Sequence, residues 1–118
     1  MRMTSDARAR LERLHTLAAQ RVASTEKTLA ELKHDREGSN DDDEHDPEGV
    51  TLSSEWSRLT GLAEAAASEL QQIDDALVRV EAGTYGICAN CGQPIASGRL
   101  DVRPFATHCV TCAEKLGL

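Results

Sequence analysis

The chain has 118 residues, a net charge of −7 and only three aromatic side chains, Trp56, Tyr85 and Phe105. That length suits one small domain, and so few aromatics exclude a thick globular core. An acidic balance without stacking platforms argues against sequence-independent nucleic-acid binding and gives no basis for direct, sequence-specific DNA binding. No apolar run approaches the ~20 residues of a membrane span, and Met1–Asp6 lacks the apolar centre of a signal peptide.

The first third reads as a helix. Ala7, Leu11, Leu14, Ala18, Val22, Thr25, Leu29 and Leu32 step by four and three, with one extra four between Ala18 and Val22. Such spacing keeps one apolar face turned toward a partner helix, and the extra four shifts the phase of the supercoil. Thr4 or Ser5 is the expected N-cap, with Asp6 favourable to the helix dipole.

The connection runs from Gly38 to Val50. Residues 38–48 hold six carboxylates and no Lys or Arg, so an acidic loop is expected at about 38–50. Most acidic runs are only solvated loops. The sharper reading is a concentrated negative tip on a thin rod, with Glu44, Asp46 and Glu48 as its acting residues. Asp46-Pro47-Glu48 could itself open the next helix, as cap, first helical residue and first-turn acid.

From Leu52 the pattern is unbroken. Leu52, Trp56, Leu59, Ala63, Ala66, Leu70, Ile73, Leu77 and Val80 alternate steps of four and three across four heptads. Ala63 and Ala66 allow a close helix–helix approach, and Gly83 is the expected left-handed terminator. Two helices of roughly 30 residues, each about 45 Å long at 1.5 Å per residue, joined by so short a link fold back as an antiparallel hairpin. A parallel dimer of one long helix is the alternative, but Gly38, Pro47 and Gly49 interrupt it; a monomer is expected.

The last third carries all four cysteines, as Cys88-Ala89-Asn90-Cys91 and Cys109-Val110-Thr111-Cys112, with 17 residues between the inner pair. Duplicate C-x-x-C pairs at this separation are the pattern of a closed four-thiolate zinc site. Gly92 supplies a residue able to take positive φ beside the first knuckle. One structural Zn2+ per chain is expected, held by Cys88, Cys91, Cys109 and Cys112, in a reducing cytoplasm. Disulfides are the plainer alternative. His108 adjoins Cys109 but is not needed as a ligand, and His15, His34, Asp74 and Asp75 read as helix-surface groups. Tyr85 is expected to pack on the base of the finger. The fold class is mainly α: residues 1–82 an antiparallel coiled-coil hairpin, residues 83–118 a zinc finger. No catalytic triad, phosphate loop or open metal site is present, so no enzyme is expected.

Three segments carry a specific resemblance: Gly83-Thr84-Tyr85-Gly86-Ile87-Cys88 through Ile95, Arg99-Leu100-Asp101-Val102-Arg103-Pro104, and Cys109 to Cys112. In order and distance they are similar to the Y-G-x-C-x-x-C-G-x-x-I, R-L-x-A-R-P and C-x-x-C elements of the DksA/TraR family. The resemblance implies a bacterial transcription regulator that binds RNA polymerase directly and inserts its hairpin tip into the secondary channel. It further implies that the finger and hairpin base grip the channel rim, with Arg99 and Arg103 as rim contacts; plain solvated charge is the alternative for both.

The family's D-x-x-D-x-A tip motif is absent. Counted back from Cys88 without gaps, its positions fall on His45, Glu48 and Val50. Guanosine tetraphosphate binds some members through basic residues; Arg103 matches one, while Gln72 and Ala113 stand where those members have lysines. Phosphate binding with one cation in place of three is expected to be weak. Two other classes of function remain open on the sequence, an adaptor that binds a different partner and a thiol-based redox or zinc sensor.

Overall fold

The computed structural model describes residues 2–38 and 47–118, and side chains from residue 5 to 35 and from 53 onward. Four helices follow in chain order: α1 (Arg2–Gly38), α2 (Pro47–Ala82), α3 (Ser97–Val102) and α4 (Val110–Leu116). The described residues form no strand, only an isolated antiparallel bridge between Ile87 and Pro94. None of their helices is long and apolar enough to cross a membrane. Contacts group the chain into two compact units, Met1–His15 with Gln71–Leu118, and Thr16–Leu70.

In the first unit the start of α1 packs antiparallel to the end of α2. Leu11, Ile73 and Ala76 are wholly buried and Val80 nearly so. Two side-chain pairs flank this seam, the ion pair of Arg8 with Glu81 and the contact of His15 Nε2 with Asp74 Oδ1 at 2.8 Å. As the residue number rises along α1 it falls along α2, which is the antiparallel register. His15 and Asp74 therefore face each other, where the sequence left them as unrelated surface groups. At such exposure the pair contributes about 0–1 kcal/mol. Full burial of Leu11 and Ile73 contributes more, about 1.5–3 kcal/mol each.

The second unit repeats the scheme with its own seam of Ala18, Leu59 and Ala66, all buried. Arg21 Nη2 reaches Glu69 Oε2 at 2.9 Å across the helices. Every described residue of the two periodic seams is buried or half-buried, including Val22, Thr25, Leu29, Trp56 and Ala63. Thr25 makes its place tolerable by donating its hydroxyl back to Arg21 O at 2.9 Å, as a mid-helix Thr commonly does.

Both long helices exceed the expected 30 residues, at 37 and 36. At its start α1 begins at Arg2, upstream of Thr4 and Ser5, so neither acts as the N-cap that the sequence suggested. Pro47 is the first residue of α2, because its missing N–H is one that a helix start leaves unpaired anyway. Residues 47–50 of the expected loop are therefore helical. Gly83, at φ +77, closes α2 in the left-handed conformation, and Thr84 N–H and Tyr85 N–H both return to Arg79 O.

Candidate metal centre and its seat on the hairpin

Each knuckle is shaped by main-chain hydrogen bonds that turn its two sulfurs the same way. In the first, Cys88 N–H donates to Gln93 O at 2.8 Å and Gly92 N–H to Cys88 O at 2.9 Å. Gly92 lies at φ +74, a conformation that side chains with a Cβ rarely adopt. In the second, Cys109 is the N-cap of α4 and its sulfur accepts the Cys112 N–H at 3.5 Å. Ala89 N–H donates to Thr107 O at 2.8 Å and ties the two knuckles together.

The four sulfurs lie within 4.8 Å of one another, and Cys91 Sγ stands 3.9 Å from Cys109 Sγ. A tetrahedron with Zn–S bonds of about 2.3 Å has edges of about 3.8 Å, so the donor set fits one zinc ion. A disulfide needs about 2.05 Å; all four cysteines are free, which removes the disulfide alternative. The four cysteines form the site of one structural zinc. His108 is not among the clustered ligands; its Nδ1 pairs with Thr107 Oγ1 at 2.8 Å.

The sulfurs sit in unequal surroundings. Cys88 and Cys112 are buried with Ile95, against Leu100 and Cys109, while Cys91 is exposed. The backbone N–H of Cys91, helped by those of Cys109 and Asn90, draws the Cys88 thiol down to about 5 against the penalty of burial. At Cys112 the Asn90 side chain is the largest influence and lowers the value. Hydrogen bonding with the other three cysteines, together with burial, outweighs it and leaves Cys112 at about 11. Four close thiols share few negative charges until a dication compensates them.

The finger is seated on the hairpin base by one repeated device: side chains of α1, of the end of α2 and of the turn that follows it donate to main-chain carbonyls between the knuckles. Arg10 Nη1 donates to Leu100 O at 3.2 Å and Arg10 Nη2 to Asp101 O at 2.5 Å. Tyr85 Oη donates to Pro104 O at 2.6 Å and Arg79 Nη2 to Phe105 O at 3.4 Å. Tyr85 thus packs on the finger base as its position in the sequence suggested. Arg10 and Arg79 had no such signal, since the partners they choose are backbone atoms.

Arg99 and Arg103, the expected rim residues, come together around one open cleft of ≈ 330 Å3, which Gln72, His108 and Ala113 also line. Arg99 is half-buried and its Nε donates to His108 O at 2.8 Å, while Arg103 is exposed. Of the expected tip residues, Glu48 lies in the first turn of α2, and Glu44 and Asp46 fall outside the described residues. Sequence reasoning also missed Asn90, whose Nδ2 stands 3.3 Å from Cys112 Sγ.

Residues 83–116 match the family model of the prokaryotic dksA/traR C4-type zinc finger. An uncharacterized protein of Aquifex aeolicus is 41% identical over 58 residues, which cover 49% of this chain and 40% of that one. The RNA polymerase-binding transcription factor DksA of Caulobacter vibrioides is 48% identical over 46 residues, 39% of this chain and 32% of its own length. The chain thus matches well under half the length of either relative. Among solved structures, the transcription factor DksA2 from Pseudomonas aeruginosa superposes with a TM-score of 0.81 at 26% identity, covering 97% of this chain and 82% of that one.

Proposed function

From the premise that this chain belongs to the DksA/TraR family of C4-type zinc-finger proteins, we propose that it regulates bacterial transcription by binding RNA polymerase directly. The observation that carries this reading is the joint one of fold and finger: a superposition over 97% of the chain with a transcription factor of the family, and the family's finger at 83–116. The hairpin is the part that enters the secondary channel, and it brings the six acids of residues 38–48 near the catalytic magnesium or the mobile elements around it. Carboxylates there alter metal coordination or nucleotide entry by charge. The finger and hairpin base hold the rim, with Arg103 as the exposed contact and Arg99 shared between the rim and its bond to His108 O.

The cleft around Arg99 and Arg103 has Gln72 and Ala113 among its lining residues, where alarmone-binding members have lysines. Guanosine tetraphosphate therefore contributes little here. The protein acts in the cytoplasm, without touching DNA and without catalysis of its own.

Capture of core RNA polymerase by the zinc-loaded full chain tests the reading. Retention of polymerase, with competition by other secondary-channel factors and no retention of free duplex DNA, is the expected result. Replacing Glu44, Asp46 and Glu48 together by alanine should keep polymerase binding and abolish the effect on initiation, whereas Arg103→Ala should weaken binding itself. Failure to retain polymerase would leave an adaptor for some other partner, and a tip variant that regulates like the parent would overturn the role of the acids.

A further inference from the structure

Cys112 differs from two of the other sulfurs in how its charge is met. The backbone amides of Cys91, and after it Cys109 and Asn90, favour the thiolate of Cys88, and Cys109 Sγ accepts the amide N–H of Cys112. Cys91 is exposed. Cys112 is buried and stands within α4, where the amides that follow it are consumed by the helix and its closing turn. Ala113 N–H donates to Cys109 O, Gly117 N–H to Glu114 O and Leu118 N–H to Ala113 O. A buried anionic sulfur without a donor is costly, and the local backbone supplies none.

The donor comes from the opposite knuckle. Asn90 Nδ2 lies 3.3 Å from Cys112 Sγ, while the backbone N–H of the same residue favours the thiolate of Cys88. One residue thus serves a sulfur of each knuckle, with its main chain for one and its carboxamide for the other. A thiolate only accepts, which fixes the NH2 end of the carboxamide toward it.

We propose that Asn90 is a positioning residue of the zinc centre, whose carboxamide supplies the charge-assisted hydrogen bond that α4 denies to Cys112 and so sets how tightly the second knuckle holds the metal. Four thiolates around one dication leave two net negative charges, and each N–H···S bond disperses part of them. When the Asn90 bond is lost, the Cys112 arm opens first. The side chain is exposed and non-glycine residues here all have negative φ, so Ala and Asp both fit the position without disturbing the core.

The test compares the zinc-loaded full chain with Asn90→Ala and Asn90→Asp. Zinc affinity is read by competition with a chromogenic chelator, folding by far-ultraviolet circular dichroism, and the sulfur environment by 113Cd NMR of the cadmium-substituted protein. Loss of an outer-sphere partner of a metal ligand typically lowers affinity 10- to 100-fold, and Asn90→Ala should fall in that range with its helical signal unchanged. Asn90→Asp is nearly isosteric but turns an acceptor on the sulfur, so it should bind more weakly than Asn90→Ala, and both should shift the cadmium resonance. A role in shape alone would leave Asn90→Asp equal to the parent. Parental affinity in either variant, Asn90→Asp binding no worse than Asn90→Ala, or an unmoved cadmium resonance would overturn the proposal.

Discussion

Tyr85→Phe isolates one bond that ties the turn after α2 to the loop between the knuckles. The ring stays and only the hydroxyl that donates to Pro104 O at 2.6 Å is lost. A neutral hydrogen bond of this kind contributes about 0.5–1.5 kcal/mol net. The adjacent carbonyl of Phe105 keeps its bond from Arg79, so the damage stays local and a loss of about 1 kcal/mol at pH 7 is expected. The same substitution has a signature in alkali. Burial raises the Tyr85 pKa above its ordinary 10, against the pull of Arg10 and Arg79. Folded protein therefore holds the proton more tightly than the unfolded chain. The resulting stability is fully present below pH 10 and is lost as pH rises through the folded value. Phenylalanine has no proton to lose, so the gap between parent and variant should narrow above pH 10. Urea unfolding of the zinc-loaded protein, followed through the NMR signals of residues 83–116 at pH 7 and pH 10.5, measures both. Equal stability at pH 7, or a gap of constant size at both pH values, would refute the reasoning.

Three further outcomes are expected. Purified protein should carry one zinc per chain by mass spectrometry, and chelation should broaden the finger's NMR signals while the long helices keep most of their far-ultraviolet signal, because metal binding is folding energy at such sites. Ile73→Ala, at a position with 0% exposure, should destabilise the chain by about 2–5 kcal/mol, whereas His15→Ala at the neighbouring surface pair should change stability by no more than about 1 kcal/mol in the same urea titration. Gly92→Ala adds a Cβ that meets nothing within 4 Å, yet it is held at φ +74; the conformational penalty of about 1–2 kcal/mol should appear as a matching drop in the finger's urea stability.

What could be read from the chain beforehand follows from where the information sits. Seams such as Leu59, Ala66 and Ile73 were legible because a buried helix face must recur every three or four residues. The metal site was legible because thiolate chemistry demands cysteine at fixed spacing. Helix α1's start was misread: Thr4 and Ser5 are good caps in isolation, but the helix continues to Arg2, and cap preference is a weak local signal. His15 and Asp74 were not matched because their meeting depends on the antiparallel register. Arg10, Arg79 and Asn90 left no trace because two of them bind carbonyls, which every residue has, and the third binds a sulfur of the other knuckle, 22 residues away in sequence.

The carbonyl joint divides the freedom to vary between its two sides. Its acceptors belong to Leu100, Asp101, Pro104 and Phe105 through atoms that substitution does not change. Its donors are three particular side chains, Arg10, Arg79 and Tyr85. Substitution at Val102, which is exposed and donates nothing to the joint, should therefore leave the seat intact, whereas loss of Arg10, Arg79 or Tyr85 removes a donor. A lineage can rewrite what this face of the finger presents to a partner without rebuilding the seat beneath it.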